Sequence, residues 1–136
     1  MYTDVYRLLR VTAKNMKNDL RTMIEDNGIT WQQFHALYHI QADGTPVNEL
    51  AKELNCNASN MTGLIDRMEE NGWVYRRHSE ADRRVWLIML TDEGNNLRNR
   101  LIPVHAENIE KRLGLLTGEE LETLKGLLTI LNENKR

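Results

Sequence analysis

The sequence predicts a mainly α-helical domain that carries one short β-hairpin. Three observations lead there. Apolar residues recur at helical spacing towards both ends of the chain. Two segments open on capping boxes, Thr30 with Gln33 and Thr117 with Glu120. Between Trp73 and Leu90 the pattern changes to β-branched and aromatic residues on either side of a charged tip. At 136 residues the chain suits a single domain over 1–136 with a core of its own.

The elements follow in order. A first helix is expected over residues 3–26, with Val5, Leu8, Leu9, Met16, Leu20, Met23 and Ile24 as its apolar side and Asn27-Gly28 as its stop. A second starts at Thr30 and turns Phe34, Leu37, Tyr38 and either Ile40 or Gln41 inward. Asp43-Gly44 is a turn. Pro46 suits the first position of a third helix that runs to Leu54. The fourth helix is capped by Asn57 and stopped by Asn71-Gly72. Residues 73–75 and 85–90 read as the two strands of the hairpin. Thr91-Asp92-Glu93 caps a fifth helix, with acids at its positive end, and Pro103 should kink it. Thr117 opens a sixth helix with Leu121, Leu124, Leu127, Leu128 and Leu131 inward.

Composition narrows the function. The chain is 40% hydrophobic and 28% charged, ordinary for a globular protein. No apolar run is long enough to span a bilayer, so no membrane partner is expected. Met1-Tyr2-Thr3-Asp4 shows no basic stretch leading into an apolar one, so no signal peptide is expected, and the lone Cys56 fits a cytoplasmic setting. There is no Gly-rich phosphate loop, no nucleophile elbow and no zinc-protease helix, so the chain is not expected to be an enzyme or to need a cofactor. The net charge of −2 is unevenly spread. Arg76, Arg77, Arg83 and Arg84 gather on the hairpin against Glu80 and Asp82, whereas Glu107, Glu110, Glu119, Glu120 and Glu122 fall in the C-terminal part. Basic charge concentrated on one module is what a DNA-facing surface requires.

Residues 47–66 fit a helix-turn-helix. Leu50, Leu54, Cys56, Met61 and Leu64 fall where two short helices pack on each other, Ala51 is small at their crossing, and Asn55 sits where the turn needs a left-handed residue. The outward face of the second helix then holds Ala58, Ser59, Asn60, Thr62, Gly63, Asp66 and Arg67. Ser, Asn and Thr hydrogen-bond base edges, and Asn matches adenine. Gly63 weakens the helix by about 1 kcal/mol against Ala, and close approach to DNA is its expected use. Arg83 and Arg84, at a loop tip, have no core to serve; an arginine in a narrow minor groove gains from the negative potential there. Asp82, two residues before Arg84, can hold that side chain in a fixed pose. The candidate DNA-contact residues are Ser59, Asn60, Thr62, Gly63, Arg67, Arg76, Arg77, Asp82, Arg83 and Arg84. The terminal helices have apolar stripes too wide for so small a core, which points to a symmetric dimer.

The chain resembles the MarR family of winged helix-turn-helix regulators over nearly its whole length. Residues 60–69 with Asn71-Gly72, and Asp82-Arg83-Arg84 with Leu90-Thr91-Asp92-Glu93-Gly94, carry the resemblance. It implies a winged helix-turn-helix over 30–91, flanked by dimerisation helices over 1–28 and 92–136. It further implies a homodimer whose fourth helices enter successive major grooves of a pseudo-palindromic DNA operator while the wings touch the minor groove. Arg84, held by Asp82, is then the first candidate for the minor groove and Arg83 the second; Arg67 supports helix-to-wing packing or a phosphate. A ligand-responsive repressor is the commoner mode. The effector is a small, often aromatic or anionic, molecule, and Trp31, His35, Tyr38 and His105 are candidate pocket residues, joined by Tyr6 and Arg10 of the first helix. The chain departs from the family in carrying Ala58 where many relatives are basic, and Asn55 where the turn usually has Gly. Both departures leave more of the binding to the wing.

Two other sensing modes and one other function compete. Cys56 as a redox switch is disfavoured by its apolar packing position. His35 and His39, one turn apart, have metal-ligand spacing that His105 and Glu107 could extend, but the Cys and Glu cluster of metal-sensing relatives is missing, and packing against Trp31 and Tyr38 accounts for these histidines. A winged helix that binds only protein is the remaining alternative.

Overall fold

A computed structural model describes residues 1–133. The element order is α1 (Tyr2–Glu25), α2 (Trp31–His39), β1 (Thr45–Pro46), α3 (Val47–Glu53), α4 (Ala58–Glu70), β2 (Val74–His78), β3 (Trp86–Leu90), α5 (Asp92–Leu113) and α6 (Gly118–Glu133). The C-terminal helical region expected over 92–136 is seen to Glu133, and 134–136 lie outside the described residues. The strands form one antiparallel sheet in the order β1-β3-β2.

Local chemistry sets most element ends. Thr30 Oγ1 accepts from Gln33 N at 3.1 Å while Thr30 N donates to Gln33 Oε1 at 3.0 Å, a complete capping box at the head of α2. The same reciprocal pair, Thr117 with Glu120, opens α6. At the end of α4, Gly72 takes φ 77°, Gly72 N donates to Glu69 O and Trp73 N donates to Met68 O. That Schellman pattern closes the last turn and sends the chain into the sheet. α5 runs unbroken through Pro103.

The structure corrects four expectations. Pro46 does not open α3: Thr45–Pro46 pairs with Ile88 and Leu87 as the edge strand β1, and α3 starts at Val47. An edge strand tolerates the missing N–H of proline. Thr45 fixes this arrangement, because its buried hydroxyl accepts from Gln41 N at 2.9 Å and donates to His39 O, binding β1 to the end of α2. The first strand, expected over residues 73–75, is Val74–His78: Trp73 lies in the turn after α4, and β2 continues to His78 because Arg76, Arg77 and His78 each face a β3 residue. Polar side chains are compatible with a two-stranded ribbon whose ladder is complete. β3 starts at Trp86 rather than Val85. Tyr38 is 47% exposed, so Ile40, fully buried, is the inward residue of that turn.

The core lies where α2, α3, α4, β3 and α5 meet, around Phe34, Leu37, Leu50, Leu64, Ile88 and Leu101. α1 joins it only through Ile24, and α6 stands outside it. Ile24 is the buried residue of α1, and α6 has none. Val5, Leu8, Leu127 and Leu131 are each at least half exposed. Among the described residues no helix is long and apolar enough to cross a membrane.

Candidate nucleic-acid interface

The α3–α4 turn forms from residues close in sequence. Asn55 takes φ 51°, as expected at this position, which lets Cys56 N donate to Ala51 O at 2.9 Å and close the turn. Asn57 caps α4 by accepting from Asn60 N at 2.9 Å. Cys56 is half buried beside the core, with Gln32 Nε2 3.9 Å from its sulfur. Met61, Leu64, Ile65 and Met68 bury one side of α4. The other side leaves Ser59, Asn60 and Thr62 exposed. Thr62 donates its hydroxyl to Ala58 O, so that oxygen is left to accept. A methyl group at Gly63 would lie 3.4 Å from Arg67 Nη1; the guanidinium of Arg67 therefore covers this gap in the helix surface.

The wing is tied to α4 by Arg76. Its guanidinium donates to Glu69 Oε1 and, at 2.9 Å, to Asp66 Oδ1. Arg76, expected to contact DNA, is thus committed to two carboxylates of the helix. It also takes the helix-to-wing role expected of Arg67. At the tip, Ser79 N donates to Val85 O and Val85 N donates to Asp82 O, which folds residues 79–85 into a closed loop. Asp82 accepts from Arg84 N at 3.1 Å, from Arg84 Nε at 3.1 Å and from Arg84 Nη2 at 3.3 Å. The anticipated Asp82–Arg84 clasp is present, and its donors hold the Asp82 carboxyl below its usual range, the Arg84 side chain first and then its backbone N–H. The Arg84 side chain remains 91% exposed. Arg77 and Arg83 are exposed and have no ion pair among the described residues.

Sequence reasoning missed two features of this region. His78 and Trp86 face each other across the ribbon and stack with ring centroids 3.7 Å apart. Counting the register outward from the tip could have found them. Arg98 of α5 donates to Ile40 O, the C-cap of α2, at 2.7 Å, which locks the long C-terminal helix to the helix-turn-helix. No local pattern announces a bond over that separation.

Four of the six candidate pocket residues come together between α2 and α5. The His105 ring lies 5.8 Å from Trp31, 5.3 Å from Phe34 and 5.9 Å from Tyr38, and His35 stacks on Trp31 at 5.8 Å. Tyr6 and Arg10 form a cation–π pair of their own on α1, with no ring contact to this cluster among the described residues. His39 extends the cluster through His35 and reaches Glu53 at 3.8 Å. No group of three or more His, Cys, Asp or Glu among the described residues is arranged to hold a metal ion.

Burial lowers the pKa of both His35 and His105; His39 and then His105 lower His35 further, Glu53 opposes them, and Lys17 adds the weakest lowering. Both rings bind protons more weakly in the folded chain than in the unfolded one. Their contribution is therefore complete above the ordinary value of 6.5 and is lost as the pH falls below it. Thermal unfolding between about pH 7.5 and about pH 5.5 should show a falling midpoint. Replacing both residues with Gln should flatten that slope, and a midpoint that rose in acid would contradict the assignment.

The sequence profile of the MarR family matches residues 29–86. The chain is 36% identical over 101 residues to the HTH-type transcriptional regulator PecS of Dickeya dadantii (strain 3937), a match that covers 71% of this chain and 61% of PecS, less than two thirds of that relative. It is 32% identical over 135 residues to the uncharacterized HTH-type transcriptional regulator YsmB of Bacillus subtilis (strain 168), covering 98% of this chain and 92% of YsmB. The structure matches that of the S. aureus MepR–DNA complex with a TM-score of 0.79 at 27% identity, over 98% of each chain. The profile match, identity over nearly the full length, and a hairpin clasped to the second helix of the pair lead to one assignment: the chain belongs to the MarR family of winged helix-turn-helix transcriptional regulators.

Proposed function

We propose that this chain is a sequence-specific duplex-DNA regulator that works in the cytoplasm as a homodimer, most simply as a ligand-responsive repressor. The observation that carries this reading is the rigid coupling of α4 to an arginine-tipped wing through Arg76, Asp66 and Glu69. A helix of this size fits a major groove, and a wing fixed beside it reaches the neighbouring minor groove. Ser59, Asn60 and Thr62 are assigned to base edges, Gly63 and Arg67 to close backbone approach, and Arg77, Arg83 and Arg84 to the wing contacts. Asp82 and Arg76 act by positioning. The role is binding rather than catalysis, and the solved complex of MepR with DNA supports it by analogy.

The dimer is argued from α1 and α6. Their facing sides line an apolar groove of about 860 Å³ that includes Val5, Leu8, Leu9, Leu121, Leu124 and Leu128. A second copy would bury this surface at roughly 25 cal/mol per Å² of apolar area. Residues 1–28 and 92–136 are therefore assigned to dimerisation, and residues 30–91 to DNA. Two-fold symmetry would set the α4 helices about 34 Å apart, one turn of duplex. An effector in the aromatic cleft between α2 and α5 would alter that spacing if it binds the two states unequally. Arg98, which joins α5 to the end of α2, is the mechanical link.

Selection of bound duplexes from a random pool tests the reading. The expected outcome is a pseudo-palindrome with half-sites one helical turn apart, bound by a species that sediments as a dimer. Recovery of no enriched duplex at low salt would leave a protein-binding module in its place.

A further inference from the structure

We propose that the His78–Trp86 stack is a DNA-backbone contact that seats the sugar-phosphate strand crossing from the α4 groove to the wing groove. The inference rests on the DNA-binding reading and adds a contact to it. The two residues are direct partners in the β2–β3 register, and their rings lie 28° from parallel. Trp31 and Trp73 pack against the core, but Trp86 is 43% exposed. An exposed indole held by a cross-strand partner has a fixed plane and a fixed height, so it loses little rotamer freedom on binding.

Strand alternation fixes where the stack lies. Val74, Arg76 and His78 share one face of β2, and Arg76 on that face reaches α4. His78 is two residues further out, about 6.6 Å towards the tip. The stack therefore continues the row that joins wing to helix, beyond the end of the helix contact and short of the arginine tip. Any duplex with α4 in one groove and the tip in the next must pass its intervening strand over this row. The chemistry matches that occupant. The indole face packs against deoxyribose C–H groups, and an imidazole N–H donates to a phosphate oxygen. On the helix side, Asp66 and Glu69 both accept from Arg76, which offsets one of their two negative charges, and Arg77 on the other face of the ribbon and Arg83 at the tip add positive charge nearby. Glu80 is the opposing charge on the loop.

The test uses the full-length chain and the selected duplex, with single neutral methylphosphonates walked through each half-site, and reads affinity by fluorescence anisotropy. Trp86→Ala should weaken binding about tenfold, Trp86→Phe should restore most of it, and His78→Gln should weaken it about fivefold. The wild type should lose affinity at one methylphosphonate between the two grooves, and His78→Gln should be indifferent to that same substitution. Melting of each variant separates folding from contact. If His78→Gln matches the wild type and leaves the methylphosphonate profile unchanged, the stack only supports the ribbon and the inference falls, even if Arg84→Ala still weakens binding as the wing assignment expects. If no duplex binds the wild type, the DNA-binding reading falls and takes the inference with it.

Discussion

Replacing Gly94 with alanine is expected to destabilise the fold by about 3 kcal/mol or more. A Cβ at this position would sit 1.9 Å from the carbonyl oxygen of Trp73 and 2.8 Å from its carbonyl carbon. The obstacle is backbone, so no side chain can rotate out of the way. Nor can Trp73 retreat. Its N–H closes α4 on Met68, and its carbonyl accepts from Thr91 N at 3.1 Å. Thr91 in turn donates its hydroxyl to Gly72 O at 2.5 Å and caps α5 by accepting from Gly94 N at 3.0 Å. One glycine thus lets the end of the recognition helix, the root of the wing and the start of α5 converge on a single point. At about 3–4 °C per kcal/mol for a chain of this size, the melting midpoint should drop by about 10 °C. Gly126→Ala is the matched control, since a methyl group there meets nothing within 4 Å. It should hold the midpoint or raise it slightly. A Gly94→Ala protein that melted like the wild type would show that the junction can relax and that this close approach does not limit stability.

Arg84→Ala is expected to weaken operator binding about a hundredfold, because each of two wings loses about 1.4 kcal/mol, a factor of ten apiece. The loss should be similar across operator variants. The arginine reads groove width and potential rather than one base pair. Asp82→Asn keeps Arg84 and releases its clasp, so its effect should be smaller, about threefold to fivefold. The pH response separates the clasp from the histidine cleft. A carboxylate held below its usual range contributes above that range and is lost only as the pH falls through the lowered value, so the clasp stays intact where the cleft begins to titrate. Acid between about pH 7 and about pH 5.5 should therefore lower stability through His35 and His105 without copying the Asp82→Asn defect. Equal affinity of Arg84→Ala and wild type in anisotropy titrations at fixed salt would sink the wing assignment, whatever α4 does.

The features legible in the sequence are those whose partners lie within a few residues. The capping boxes at Thr30 and Thr117, the Asn57 cap, the Asn71-Gly72 stop and the left-handed Asn55 each depend on hydrogen bonds spanning three to five positions. Side-chain chemistry at such range varies little with tertiary context. The Asp82–Arg84 clasp is of the same kind. Helix periodicity likewise exposed the apolar sides of α1 and α6, although they remain largely uncovered in the single chain.

What the sequence did not reveal depends on distant partners. β1 exists only because Thr45 and Pro46 lie opposite Ile88 and Leu87. β2 extends over Arg76, Arg77 and His78 because β3 offers a continuous ladder, not because those residues favour strands. Arg76 looked like a free DNA-facing charge until Asp66 and Glu69 came within reach. By itself, then, the sequence determined the order of helices, their caps, the turn of the helix-turn-helix and the arginine tip, because short-range hydrogen bonds and apolar spacing are sufficient for those. Only the tertiary structure decided which arginine binds the wing to the helix, where His78 meets Trp86, and why residue 94 has no room for a side chain. Those outcomes depend on how separate segments stack, and a charge or a glycine acquires its role only once the neighbour that answers it is in place.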